Sequence, residues 1–178
     1  GNMQMNNTGT QAGPVILGVD PGLNITGYGL IRVGQDDPQL LEAGVVRGGR
    51  RKPLEQRLKE IHEGICEVIE QHQPRAVAVE ELYSHYKMPR TAILMGHARG
   101  AICLAAGQHE IPVFHYAATQ IKKILTGNGR ASKKQMQDAI CHEFSLATAP
   151  EPADVADALA IALCHHYLGR NNTIGNAC

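Results

Sequence analysis

The sequence predicts an α/β fold: a mixed five-stranded sheet, three antiparallel strands followed by parallel ones, flanked by helices. Three observations lead there. The chain opens with three β-like runs whose connections are too short for a crossover, then alternates helix-period and strand-like segments, and closes in helices. With 178 residues and 43% hydrophobic content it has a one-domain length and enough apolar material for a core.

Val15 to Val19, Thr26 to Val33 and Leu40 to Arg47 read as the three strands, joined by Asp20-Pro21-Gly22 and by the turn cluster Gly34-Gln35-Asp36-Asp37-Pro38. Pro53 opens a helix whose apolar positions Leu54, Leu58, Ile61, Ile65, Val68 and Ile69 follow steps of three or four residues, and it stops before Pro74. The strand Ala76 to Val79, a helix over Thr91 to Gln108 and a strand at Pro112 to Tyr116 make a crossover unit. Ala118 to Leu125 forms a short helix that Gly127-Asn128-Gly129 breaks; Ser132 caps a helix to Phe144, and Pro152 starts the last one, to Leu168. This order is the plan of the ribonuclease H-like fold, which nucleases, transposases and phosphotransferases share, so the fold alone does not settle function. Residues 1–13 are expected to be a disordered extension or cloning remnant, 14–170 a single domain of this fold, and 171–178 a flexible tail.

Lys plus Arg is 17 and Asp plus Glu is 17, so any nucleic-acid partner must be held by local patches rather than by a global field. The five cysteines, Cys66, Cys103, Cys141, Cys164 and Cys178, are odd in number and lack CxxC spacing, as expected of a reduced, cytoplasmic compartment. No segment reaches the ~18 consecutive apolar residues of a membrane span. The longest candidate, Thr91 to Gly107, contains His97 and Arg99.

Acidic residues stand out where they interrupt apolar stretches. Asp20 ends Val15-Ile16-Leu17-Gly18-Val19, and Glu80 ends Ala76-Val77-Ala78-Val79. Neighbouring strands lie about 4.8 Å apart, so adjacency of the first and fourth strands would bring these two acids face to face. Asp154 and Asp157 share one face of the last helix, while Ala158, Leu159, Ile161 and Ala162 supply apolar surface to seat it on the sheet. Hard oxygen donors without a cysteine favour Mg²⁺, with Mn²⁺ the alternative, and crowded carboxylates need a cation. Two such ions about 4 Å apart can activate a water and stabilise the leaving oxygen of a phosphodiester. Taken singly, Asp154 reads as a helix-dipole partner and Glu80, beside Glu81, as the start of a loop. The joint pattern points to metal-dependent chemistry.

At these residues the chain resembles the RuvC-type Holliday junction resolvases, the crossover junction endodeoxyribonucleases. Gly18-Val19-Asp20-Pro21-Gly22 through Thr26-Gly27-Tyr28-Gly29 is similar to the family's first motif, Val79-Glu80 to its second, and Ala153-Asp154-Val155-Ala156-Asp157-Ala158-Leu159-Ala160 to its third, with Gly96-His97-Ala98-Arg99-Gly100 between. The similarity runs from Val15 to Leu168. It implies metal-binding catalytic acids at Asp20, Glu80, Asp154 and Asp157, basic groups at Lys122 and Lys133, and a base-contacting aromatic at Tyr83, where the family pattern often has Phe. The stretch from Ser84 to Arg90 matches poorly. The implied protein is a homodimeric endonuclease holding two Mg²⁺ ions per site. It would resolve four-way DNA junctions by paired symmetric nicks, in recombination and repair, with a branch-migration motor complex as a further partner.

Between Ile121 and Gln135 stand Lys122, Lys123, Arg130, Lys133 and Lys134 and no acid, a candidate phosphate-binding surface whose ordinary alternative is a solvated helix face. Arg47, Arg50, Arg51 and Lys52 form a second cluster that reads equally as a solvated loop. Tyr83 and Tyr86 follow Glu80, where rings could stack on exposed bases for ~1–3 kcal/mol each; core packing is the alternative. His97, His142, His165 and His166 read as surface or interface histidines. Gly27 and Gly29 read as close-packing positions rather than a phosphate loop. The Thr91 to Gln108 helix is apolar nearly all round and carries Gly96 and Gly100, a face that a two-fold dimer or the chain's own closing helices would cover. Three rivals share parts of this pattern: a ribonuclease acting on RNA/DNA hybrids, a non-catalytic junction-binding module, and a phosphotransferase of the actin and sugar-kinase type. The last needs two such domains, and this chain is too short.

Overall fold

The computed structural model describes residues 13–81 and 88–169, so the expected terminal segments lie, Gly13 apart, outside the described residues. In chain order the elements are β1 (Val15–Asp20), β2 (Ile25–Arg32), β3 (Gln39–Arg47), α1 (Leu54–His72), β4 (Ala76–Glu80), α2 (Pro89–Gln108), β5 (Val113–Tyr116), α3 (Ala118–Thr126), α4 (Lys133–Phe144) and α5 (Ala153–Gly169). They build one five-stranded sheet in the order β3-β2-β1-β4-β5. β1, β2 and β3 form the antiparallel meander; β4 joins β1 in parallel, and β5 joins β4 in parallel.

The two faces of the sheet carry separate cores. Leu17, Val19, Val77 and Val79 point toward α1 and α2, whereas Ile16, Ile31 and Ala78 point toward α3, α4 and α5, as the two-residue repeat of a strand requires. α1 buries Ile61, Ile65, Val68 and Ile69 on one stripe and ends where Gln73 turns left-handed (φ 47°) just before Pro74. α2 starts at Pro89 rather than at Thr91, because a proline in the first turn loses no helical hydrogen bond. It lies chiefly against α1 and turns Ala98, Ile102, Ala105 and Ala106 inward. Its outer face, with Ile93 62% and Leu104 55% exposed, is not under the closing helices, which cross the opposite face of the sheet.

α5 is buried on almost every side, from Val155 to Cys164. That burial corrects one expectation: His166 is a core residue, 6% exposed, because the helix that carries it has core on all sides. His165 is half-buried, shares a hydrogen bond with the Tyr116 hydroxyl through Nδ1, and its ring centre lies 4.5 Å from that of Phe114. Burial, together with the charges of His166 and Arg75, lowers its pKa. His97 and His142 are exposed, as expected.

Candidate active site

Parallel pairing of β1 with β4 sets Val19 beside Val79, so Asp20 and Glu80 leave the sheet side by side at its C-terminal edge. In open α/β sheets that edge is where ligands bind. The turn that follows Asp20 is clasped from below. The buried Thr26 hydroxyl donates to the Gly22 carbonyl at 2.8 Å and accepts from the Gly22 N–H at 3.2 Å. This clasp fixes the path of the chain as it leaves Asp20.

The helical acids are delivered by missing side chains. Gly27 pairs with Asp20 across the β1–β2 ladder, and a Cβ there would strike the backbone of Asp154. A Cβ at Gly18 would strike the Ala158 carbonyl, and one at Gly29 the Leu159 side chain. α5 therefore lies directly on bare backbone, with Asp154 and Asp157 brought over the end of β1. Gly27 and Gly29 serve close packing, and the opening motif is a carboxylate mount.

The electrostatics record the crowding. The Asp20 carboxyl is pushed up to about 8, first by burial and then by the charges of Asp157, Asp154 and Glu80. It donates a hydrogen bond to Asp157, and that bond lowers Asp157 while it raises Asp20. Asp157, though exposed on its outer side, is raised overall because neighbouring protein strips part of its water; Lys133 and then Lys122 pull it back. Those two lysines share with Glu80 and Asp157 a cleft of about 250 Å³ that Ile121 and Met136 also line, whereas Asp20 and Asp154 do not line it.

Local sequence explains how the lysines arrive. α3 stops at Gly127, which is left-handed at φ 79°, and the Thr126 hydroxyl caps the Lys122 carbonyl. α4 then starts in a capping box, with the Gln135 N–H donating to the Ser132 hydroxyl at 3.1 Å and the Ser132 N–H to the Gln135 side chain at 2.8 Å. Lys133, the first residue of that helix, is thereby held at the cleft. Lys123, Arg130 and Lys134 are exposed and do not line it. Tyr83 and Tyr86 lie outside the described residues. In the second basic cluster Lys52 pairs with Glu60, while Arg47, Arg50 and Arg51 are exposed.

Among the described residues no three His, Cys, Asp or Glu side chains converge closely enough to hold an ion as they stand. Asp20 and Asp157 instead hydrogen-bond to each other. The donor set nevertheless fits a hard divalent cation: the acids are oxygen donors only, and a buried carboxyl surrounded by three others keeps a proton that a cation can replace. Two residues that sequence reasoning left without a role also belong to this end of the sheet. One is Thr26, near the start of β2, whose hydroxyl follows the Asp20-Pro21-Gly22 turn closely enough in sequence to bond back to it. The other is Arg99, which hydrogen-bonds the backbone carbonyl of Glu80.

A meander followed by a parallel crossover, with acids on β1, β4 and the closing helix, defines a nuclease of the ribonuclease H-like class. The family model described as crossover junction endodeoxyribonuclease RuvC matches residues 16–165. A protein of that name from Rhodopirellula baltica is 55% identical over 158 residues, covering 88% of each chain. Another, from Alkaliphilus metalliredigens, is 42% identical over 155 residues, covering 87% of this chain and 94% of its own. Among solved structures, Thermus thermophilus RuvC in complex with Holliday junction substrate superposes with a TM-score of 0.85 at 37% identity, covering 90% of this chain and 97% of that one. The chain belongs to the RuvC family of crossover junction endodeoxyribonucleases.

Proposed function

We propose that this protein resolves four-way DNA junctions by hydrolysing two symmetric phosphodiester bonds, with Asp20, Glu80, Asp154 and Asp157 as its metal-binding and catalytic acids. The observation that carries the reading is the cluster that Asp20 and Glu80, at the ends of β1 and β4, make with Asp154 and Asp157 of α5, two of whose members, Glu80 and Asp157, line one cleft with Lys122 and Lys133. The junction bound by the Thermus relative supports the choice of substrate. Divalent cations held by the four acids, two Mg²⁺ or in their place Mn²⁺, supply an activated water and stabilise charge on the leaving oxygen. Asp20 gives up its proton when its oxygens are engaged, and Asp157, whose carboxyl Lys133 and Lys122 pull back toward the ionised form, orients the attacking water. The two lysines hold the phosphate at the cleft. Lys123, Arg130 and Lys134 extend the phosphate track, and Tyr83 stacks on a base at the branch point.

Two cuts on a two-fold substrate call for two sites, and a second copy of the chain docked on the outer face of α2 supplies the other. Ile93 and Leu104 are exposed on that face, and a Cβ at Gly100 or Gly107 would meet open space, so another helix can come close. The same reading puts the protein in the cytoplasm, with a branch-migration motor as a further partner. The deciding experiment incubates the protein with labelled four-way junction, duplex and RNA/DNA hybrid, with and without Mg²⁺. Paired nicks in the junction alone, only with the ion, are expected; cleavage of the hybrid in preference to the junction would overturn the substrate assignment.

A further inference from the structure

Arg99 spans the last step of two strands. Its guanidinium donates to the backbone carbonyl of Glu80 and, at 2.7 Å, to Nδ1 of His115. These acceptors stand on neighbouring parallel strands, since Val79 pairs with His115 and Glu80 with Tyr116. Arg99 itself is anchored, because Ala98 and Ile102 beside it on α2 are fully buried. Just past Glu80 the sheet ends with one more bond, from the Glu81 N–H to the Tyr116 carbonyl at 2.7 Å. Strand ends fray unless something holds them. Here a charged donor on a packed helix holds the carbonyl of the acid's own residue. That fixes the peptide plane and with it the direction in which the Glu80 side chain leaves the backbone.

The geometry points to Arg99 as a positioning residue: through the Glu80 carbonyl it aims the Glu80 carboxylate at the ion site. The inference rests on the reading of Glu80 as a metal-binding acid. Partners one step behind a ligand change metal affinity or activity by about 10–100-fold when removed. Charge-assisted bonds to a carbonyl are of the stronger kind.

The test is a Mg²⁺ titration of single-turnover junction cleavage at saturating protein, for wild type, Arg99→Met, Arg99→Lys and His115→Ala, with junction affinity and melting temperature measured in parallel. Arg99→Met is expected to raise the half-saturating Mg²⁺ concentration about 10–100-fold while junction affinity stays within about twofold. Arg99→Lys, which keeps a donor, recovers part of that loss, and His115→Ala, which leaves the bond to Glu80 intact, shifts the requirement by less than about threefold. An unchanged Mg²⁺ requirement in both Arg99 variants overturns the proposal. So does a loss of melting temperature and rate in Arg99→Lys without a shift in Mg²⁺ requirement, which would leave Arg99 a purely structural role. Failure of the underlying reading looks different: the wild type leaves the junction uncut, or Asp20→Asn cuts it as fast as wild type.

Discussion

α2 and α5 are both apolar nearly all the way round, yet the fold treats them in opposite ways. α5 lies in a trough of backbone at Gly18, Gly27 and Gly29 and is buried on almost every side from Val155 to Cys164. α2 seats only Ala98, Ile102, Ala105 and Ala106 and leaves Ile93 and Leu104 in solvent, with Gly100 and Gly107 opening onto empty space. The same composition thus serves two ends. The glycines under α5 are opposed by a helix and mark core, whereas Gly100 and Gly107 on α2 are opposed by nothing and leave room for close approach. α5 carries two of the four acids, and α2 leaves an apolar face open.

The largest expected effect breaks the two apart. Asp20→Asn should reduce junction cleavage by ~10³-fold or more while leaving binding and oligomeric state alone; Leu104→Glu should do the reverse to assembly. Sedimentation and a gel cleavage assay on both variants check this, and full activity in Asp20→Asn would sink the mechanism. Next in size is a stability contrast. Leu159→Ala, fully buried in α5, should cost about 3 kcal/mol in urea unfolding, whereas Leu104→Ala should cost about 0.5 kcal/mol or less within one subunit. Equal costs would show α2 to be covered within its own chain.

A third effect concerns the proton on Asp20. Its folded-state pKa of about 8 lies above the ordinary 3.8, so in the metal-free protein the contribution of Asp20 to stability is fully present below about pH 4 and is lost as pH rises through 8. In chelator, Asp20→Asn should therefore be the more stable protein at pH 8.5, by several kcal/mol, with the difference vanishing by pH 4. Melting curves across pH decide it, and a constant difference would mean the carboxyl is not perturbed. Least of all, Lys123→Ala, Arg130→Ala or Lys134→Ala should each reduce the salt dependence of junction binding by about one unit of slope without changing the cleavage rate of bound junction. Lys133→Ala, at the cleft, should slow that step as well.

Much of this was legible because it is written in periodicity and in glycines. The meander, the crossover and the stops at Pro74 and Gly127 follow from turn chemistry and helix period, and the proximity of Asp20 to Glu80 needed only parallel neighbours. The burial of His166 was not legible. A histidine on an apolar helix looks alike at a surface and in a core, and only the packing of α5 on all sides decides. Arg99 was equally silent, because its partner is a backbone carbonyl, which leaves no mark on residue identity. The cleft lysines were legible as charge, and the family resemblance already sorted Lys122 and Lys133 from Lys123, Arg130 and Lys134, as the lining of the cleft does.

The glycine trough beneath α5 also sets how this protein can vary. A methyl group is the smallest side chain that evolution can add, and at Gly18, Gly27 and Gly29 even that collides with the helix above. Elsewhere in the core a change of size is met by a neighbour's compensating change. Here two of the three opposing groups are backbone, at Asp154 and Ala158, and backbone has nothing to trade. At those two positions no second substitution restores the spacing, so the seat of α5 and the chemistry it carries are inherited together or not at all.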